Sequence, residues 1–167
     1  MSNSTSNKKA KLTLAHYVRR RNGVPLGSSG SLRNMLYRSL GAGTFAGFWR
    51  YWNPVWGYYL GRYVYAPLKR WLPSATALVI TFVVSGALHD AVASAVTGRM
   101  VFILTPWFFL MGVGVVIGQA LRINYSHFVW PIRAFININY IGISLALAYA
   151  IQAYFVGIGY WFSKPSL

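Results

Sequence analysis

Long apolar runs occupy residues about 75–98, 100–121 and 135–161, with few polar positions inside them. Each reaches the ~20 residues that a helix needs to cross the hydrocarbon core of a bilayer. Gly98-Arg99 supplies a turn between the first two runs. Ahead of them the pattern changes. Residues 1–30 form a polar, basic arm in which Leu12-Thr13-Leu14-Ala15-His16-Tyr17-Val18 precedes Arg19-Arg20-Arg21, enough for one or two amphipathic turns at a membrane surface. From Leu32 to Trp49 the pattern is mixed, and the run from Gly41 to Gly47 is too short to span, which predicts a re-entrant or interfacial helix. Residues 45–71 hold eleven of the 29 aromatics together with Arg50, Arg62, Lys69 and Arg70, a mixture suited to the headgroup level. The predicted fold is an all-α integral membrane protein. It has about three transmembrane helices preceded by an interfacial or re-entrant aromatic-rich helical region, with the arm at 1–30 and a single membrane-embedded core at 31–167. No internal repeat is visible.

Small residues four apart, Gly57 with Gly61 and Gly114 with Gly118, predict places where helices approach closely. In the third run Asn137, Asn139, Ser144 and Gln152 are expected to face protein rather than lipid.

Composition agrees with a membrane class. The chain has 167 residues, 56% of them hydrophobic, and its mean hydropathy is +0.42. It has no cysteine, which excludes disulfides and thiolate chemistry. Three scattered histidines and one aspartate build no metal site, and His16 and His127 are given no role.

The net charge is +15, from sixteen Lys and Arg against one acidic side chain. In a soluble protein that balance would point to nucleic acid. On an apolar chain it points to membrane lipids with anionic headgroups, each juxtamembrane cation contributing ~1 kcal/mol near an acidic leaflet. No nucleic-acid partner is expected. Twelve of the sixteen cations, Lys8, Lys9 and Lys11 among them, precede the first span. With that side inside, Arg122 and Arg133 join them and only Arg99 and Lys164 lie outside. The asymmetry predicts a multi-pass protein whose basic N-terminal region is cytoplasmic.

The only acidic residue, Asp90, stands next to His89, two positions past the middle of the first span near Ala87. That places His89 ~3 Å from the midplane along the helix axis. Ionisable groups at that depth are costly and usually serve a task. Asp90 lies ~100° round the helix from His89. It is expected to pair with an arginine of the 50–70 block, because a lone buried carboxylate is too costly. Taken alone, a histidine in an apolar helix is more often a hydrogen-bonded packing residue than a catalyst.

Three motifs change that balance. Phe48-Trp49-Arg50-Tyr51-Trp52-Asn53-Pro54, Tyr63-Val64-Tyr65-Ala66-Pro67-Leu68 and Ser85-Gly86-Ala87-Leu88-His89-Asp90 follow one another along the chain. In this order they resemble the F-W-x-x-W-[HN], V-Y-x-P-L and S-G-x-x-H motifs of the membrane-bound O-acyltransferase (MBOAT) family, over roughly residues 45–125. The resemblance implies a many-helix bundle with a tunnel, where an acyl thioester from the cytosolic side meets a hydroxyl acceptor. It implies His89 as the catalytic residue and Asn53 as the second site residue; many members have a histidine there, while asparagine occurs in the sterol and diacylglycerol branch. Trp49, Arg50, Trp52, Tyr65 and Ser85 fall on or beside motif positions and are expected at the substrate-binding surface. Asp90, Gly86 and Pro67 are expected to be structural. The co-substrate is acyl-CoA or an acyl-carrier thioester, and no cofactor is expected.

Elementary chemistry fits these roles. Neutral imidazole is the side-chain base available near pH 7. An asparagine amide can donate to a thioester carbonyl, an effect worth ~3 kcal/mol in oxyanion holes. The alternative is a non-catalytic MBOAT-like membrane scaffold or subunit of a larger complex, since typical members carry several more spanning helices before the first motif. A homo-oligomer or a partner membrane subunit would then complete the tunnel. An enzyme requires a cavity reaching His89, whereas a scaffold would bury His89 with its ring nitrogens satisfied. A basic protein that merely recruits anionic lipids or nucleic acid rests on charge alone.

Overall fold

Thr13 accepts a hydrogen bond from the His16 amide and caps a first helix, α1 (Leu14–Asn22), which ends at Gly23 with φ +84°. The computed structural model describes residues 13–163, with side chains as far as 154. Lys8, Lys9, Lys11 and Leu12 of the arm, and Lys164, lie outside the described residues. Arg19, Arg20 and Arg21 occupy the last turn of α1, where cations complement the helix dipole. Val18 is buried, and the Asn22 amide donates to the Ser31 carbonyl and hydroxyl at the start of α2 (Ser31–Leu40). The amphipathic stretch of the arm is therefore a docked helix.

Three further helices are short: α3 (Phe45–Tyr51), α4 (Pro54–Leu60) and α5 (Ala66–Leu68), with a π-helical turn at Gly61–Tyr65 between the last two. Thr44 caps α3 by accepting from the Gly47 amide. None of the helices within 31–68 is long enough to cross a membrane. Pro67 lies in α5, which continues the π-helical turn without a break, Tyr65 and Ala66 both being right-handed helical.

α6 (Ser74–Thr97) and the Trp130–Tyr154 part of α8 (Trp130–Ser163) are long and apolar enough to cross a membrane, with mean hydropathies of 1.7 and 1.6. Only 22% and 17% of those windows are buried, so neither is the enclosed core helix of a soluble fold. Against three expected spans, α7 (Leu104–Ala120) is shorter, its 17 residues rising ~26 Å. The turn expected at Gly98-Arg99, with Gly98 at φ +66°, runs on through residues 100–103, which the pattern had assigned to the second span. α8 starts at Trp130, five residues before the expected boundary, because Pro131 suits a first helical turn.

α6 and α7 pack closely, but not through the expected glycines. A Cβ on Gly86 would stand 2.7 Å from the Leu104 carbonyl and 2.8 Å from Thr105 Cα, and one on Gly112 3.0 Å from Phe82 Cβ. Gly118 and Gly61 have no neighbour within 4 Å, while Gly114 meets only the Phe45 ring and Gly57 only the Tyr17 hydroxyl. The four-residue spacing was a weak guide because glycines beside open space share it: Gly57 and Gly61 border a cavity rather than a helix contact.

The core gathers Ala42, Phe45 and Phe48 against Met111 and Val115 of α7, with Tyr140 of α8 stacked on Phe45 at 4.7 Å. Asn137, fully buried, donates to the Leu40, Ala42 and Arg133 carbonyls and accepts from the Tyr125 hydroxyl at 2.7 Å. It thus ties α8 to the α2–α3 turn and to the loop after α7. Ser144 accepts from Trp107, and Gln152 donates to the Phe102 carbonyl. Asn139 is half-buried and donates to the Phe135 carbonyl one turn back in its own helix.

Candidate active site

The motif Ser85-Gly86-Ala87-Leu88-His89-Asp90 lies in the second half of α6, and each polar member has a distinct neighbour. His89 Nδ1 lies 2.6 Å from the Ser85 carbonyl oxygen. A carbonyl only accepts, so Nδ1 carries a proton, and in the neutral imidazole Nε2 then holds the free lone pair. Among the described residues Nε2 has no hydrogen-bond partner. The imidazole stacks on Phe108 at 5.2 Å and meets the edge of Trp56 at 5.7 Å. Trp56 is itself held by its indole N–H donating to Ser85 Oγ at 2.9 Å. Ser85 is buried and therefore orients both rings, one through its carbonyl and one through its hydroxyl.

Gly86, on which a Cβ would stand 3.0 Å from Phe108 Cβ, lets α7 come close enough for Phe108 to cover the imidazole. Asp90 completes the joint. Its carboxylate accepts from the amides of Ile103, Leu104 and Thr105 at 3.2, 2.9 and 2.8 Å, and from the Thr105 hydroxyl at 2.6 Å. The expected arginine partner is overturned: Asp90 caps the start of α7. The unpaired amides and positive dipole end of that helix satisfy the carboxylate without a second charge.

Asn53 caps α4 from the opposite wall. Its Oδ1 accepts from the Trp56 amide at 3.2 Å, and its backbone sits in the left-handed region at φ 39°. Asparagine and histidine tolerate that conformation better than most residues. With the oxygen spent on the cap, the amide Nδ2 is the group left to interact, and it can only donate. It makes no hydrogen bond among the described residues.

His89 and Asn53 line one cavity of about 430 Å³. Leu78, Thr81, Phe82, Ser85 and His89 line it from one face of α6, at steps of three and four residues, and Phe108, Val115 and Gln119 from one face of α7. Trp49, Arg50 and Trp52 of the first motif and Tyr65 of the second also line it. Pro67 and Gly86 are not in its wall. Sequence reasoning missed Trp56, Phe108 and Gln119, and also Tyr17 and Arg21 of α1. Trp56 carried a signal, being three residues past a capping asparagine; Tyr17 and Arg21 carried none. Of the aromatics expected in an interface belt, Tyr59, Tyr63 and Trp71 are exposed, whereas Trp56 and Tyr65 turn to the cavity.

The sequence profile of MBOAT, the membrane-bound O-acyltransferase family, matches residues 26–156, well over half of the chain. The chain belongs to the membrane-bound O-acyltransferase family. No curated protein and no solved structure matches it. The matched region of this MBOAT chain begins after α1 and includes the rest of the cavity wall. Membership carries membrane-bound O-acyltransferase activity as the family's chemistry, and α6 and α8 supply helices able to hold the chain in a bilayer.

Proposed function

We propose that this protein transfers an acyl group from a thioester, acyl-CoA or an acyl-carrier conjugate, to a hydroxyl acceptor within the 430 Å³ cavity. The reading is carried by one observation. The two motif side chains share that cavity, and each has one polar atom tied to backbone, leaving an acceptor on His89 and a donor on Asn53. His89 Nε2 takes the proton of the acceptor hydroxyl as its oxygen attacks the thioester carbon. Asn53 Nδ2 donates to the carbonyl oxygen while negative charge develops there. Collapse of the tetrahedral species expels the thiolate, which takes the proton back from His89. An ester and a free thiol result.

Ser85 fixes the histidine tautomer, as the third member of a catalytic triad does for its imidazole. Trp49, Trp52 and Tyr65 supply apolar wall for the acyl chain. We place the chain as a multi-pass membrane protein in which α7 is a third crossing and the basic N-terminal side is cytoplasmic. The scaffold alternative requires a packed His89 with both nitrogens satisfied; an exposed ring with an unpartnered Nε2 favours the enzyme.

The test is thiol release from acyl-CoA by the full chain in lipid nanodiscs, with a panel of sterol, glycerolipid, glycan and peptide alcohols. His89→Ala is expected to lower turnover by about 10²–10⁴-fold and Asn53→Ala by about 10²–10³-fold. Unchanged turnover in His89→Ala removes this mechanism.

A further inference from the structure

We infer that Arg122 anchors a lipid-binding site at the end of α7, one that takes the phosphate of an anionic glycerophospholipid. A second cavity, of about 200 Å³, lies there between the start of α3, the end of α7 and Tyr140 of α8. Neither His89 nor Asn53 lines it, so its occupant is not a reactant of the proposed transfer. Ala46 and Gln119 form a wall that it shares with the larger cavity. Arg122 is the only charged residue among the described residues that line it, and Asp90 is held at the opposite end of α7. Polar capacity around the arginine is unspent. The Gln119 side chain and the Tyr140 hydroxyl make no hydrogen bond among the described residues. Asn124, whose Oδ1 accepts from the Ser126 amide at 2.8 Å, keeps its Nδ2 free. A guanidinium among free N–H and O–H donors is an arrangement that phosphate oxygens fit.

The backbone supplies an independent observation. α7 closes with the Arg122 amide donating to the Gln119 carbonyl at 3.2 Å and the Ile123 amide to the Gly118 carbonyl at 2.9 Å. That pair of bonds sets the residue after the helix in the left-handed conformation, and Arg122 holds it at φ 52°. Glycine is the usual occupant, because a Cβ crowds the backbone there. α1 and α6 both end on glycine in this conformation, Gly23 at φ 84° and Gly98 at φ 66°. A cation complements the helix dipole equally well from the last turn, as Arg19, Arg20 and Arg21 do in α1, without that strain. An arginine kept in a glycine position therefore directs attention to what its side chain reaches. Its outer surroundings are apolar: Ile117, Leu121 and Ile123 are all exposed beside it. A cation next to exposed aliphatic side chains, at the end of an apolar helix, suits the level where lipid phosphate meets acyl chain. A soluble phosphate ester would leave those side chains uncovered.

The full-length protein in detergent is titrated with short-chain phosphatidylglycerol, with phosphatidylcholine of the same chains, and with glycerol 3-phosphate. The shift of the unfolding midpoint is the readout, which needs no turnover. Phosphatidylglycerol is expected to stabilise the wild type at lower concentration than phosphatidylcholine, and glycerol 3-phosphate not at all. Arg122→Asn removes the cation while tolerating the left-handed backbone. It should weaken phosphatidylglycerol binding by about 10- to 100-fold, the range for one charge-assisted contact, and leave the lipid-free protein as stable as wild type or more so. Arg122→Gly should share both properties, and Arg122→Lys should retain part of the preference. Arg70→Gln, exposed and outside both cavity walls, should bind as wild type. His89→Ala should also keep the lipid preference even if turnover is lost, so this inference and the transferase reading fail separately. Equal binding of the two lipids, or a wild-type preference in Arg122→Asn, overturns the site. So does an Arg122-dependent stabilisation by glycerol 3-phosphate equal to that by phosphatidylglycerol, which makes the ligand a soluble phosphate ester. A fall in lipid-free stability in both Arg122→Asn and Arg122→Gly overturns it too, because the arginine then serves the fold.

Discussion

Asp90→Ala tests the joint on which the site geometry depends. The substitution strips the acceptor from three backbone amides and one hydroxyl at the start of α7. An unsatisfied buried donor costs ~1–3 kcal/mol. Asp90 itself is 5% exposed, while Ile103, Leu104 and Thr105 are half-buried, so the lower part of that range applies to each. The total is about 4 kcal/mol. Asp90→Asn keeps one oxygen for the Ile103 and Leu104 amides but turns an NH₂ toward the Thr105 amide, for a loss of about 2 kcal/mol. Thermal unfolding in detergent, followed by tryptophan fluorescence, should lower the midpoint by about 10 °C for alanine and half as much for asparagine. Arg62→Gln and Arg70→Gln are the controls, since both side chains are exposed; each should stay within about 0.5 kcal/mol of wild type. Wild-type stability in Asp90→Ala would refute the capping argument, and a matching loss in either arginine variant would restore the ion-pair expectation.

Two further outcomes follow from the packing. Gly86→Ala should destabilise by about 2 kcal/mol, because its Cβ would meet α7 backbone at 2.7–2.8 Å, whereas Gly118→Ala, with open space around it, should be neutral or slightly stabilising in the same unfolding assay. In the loop between α7 and α8, burial holds the Tyr125 phenol well above its ordinary range. The folded chain keeps that proton where the unfolded chain loses it. Stability from this group is therefore complete below pH ~10 and declines as pH rises further. Denaturant midpoints between pH 8 and pH 11 should show a shallower decline in Tyr125→Phe, and an unchanged slope would remove Tyr125 as the source.

Local order decided what could be read from the chain alone. The helical class, the apolar lengths of α6 and α8, and the family motifs depend on residue type at short spacing, and that information is linear. Ser85 and His89 are one turn apart, so their hydrogen bond is implicit in the S-G-x-x-H spacing. Asn53 before Pro54 is likewise a capping signal. The partner of Asp90 was not legible, because the competing solution was a helix end thirteen residues on, and backbone amides leave no mark in composition. Tyr17 and Arg21 were equally hidden. Their place in the cavity wall depends on how α1 docks on α4, through contacts such as Tyr17 with Tyr58 that are 41 positions apart.

The sequence by itself determined an apolar, basic, helical chain with one histidine set inside a long hydrophobic helix. Only the tertiary structure decided which atoms of that histidine and of Asn53 remain unspent, which glycines carry the α6–α7 contact, and which cations reach the cavity. The physical reason is that periodicity and charge are summed along a strand of residues, whereas hydrogen-bond saturation and close approach are settled pair by pair across helices.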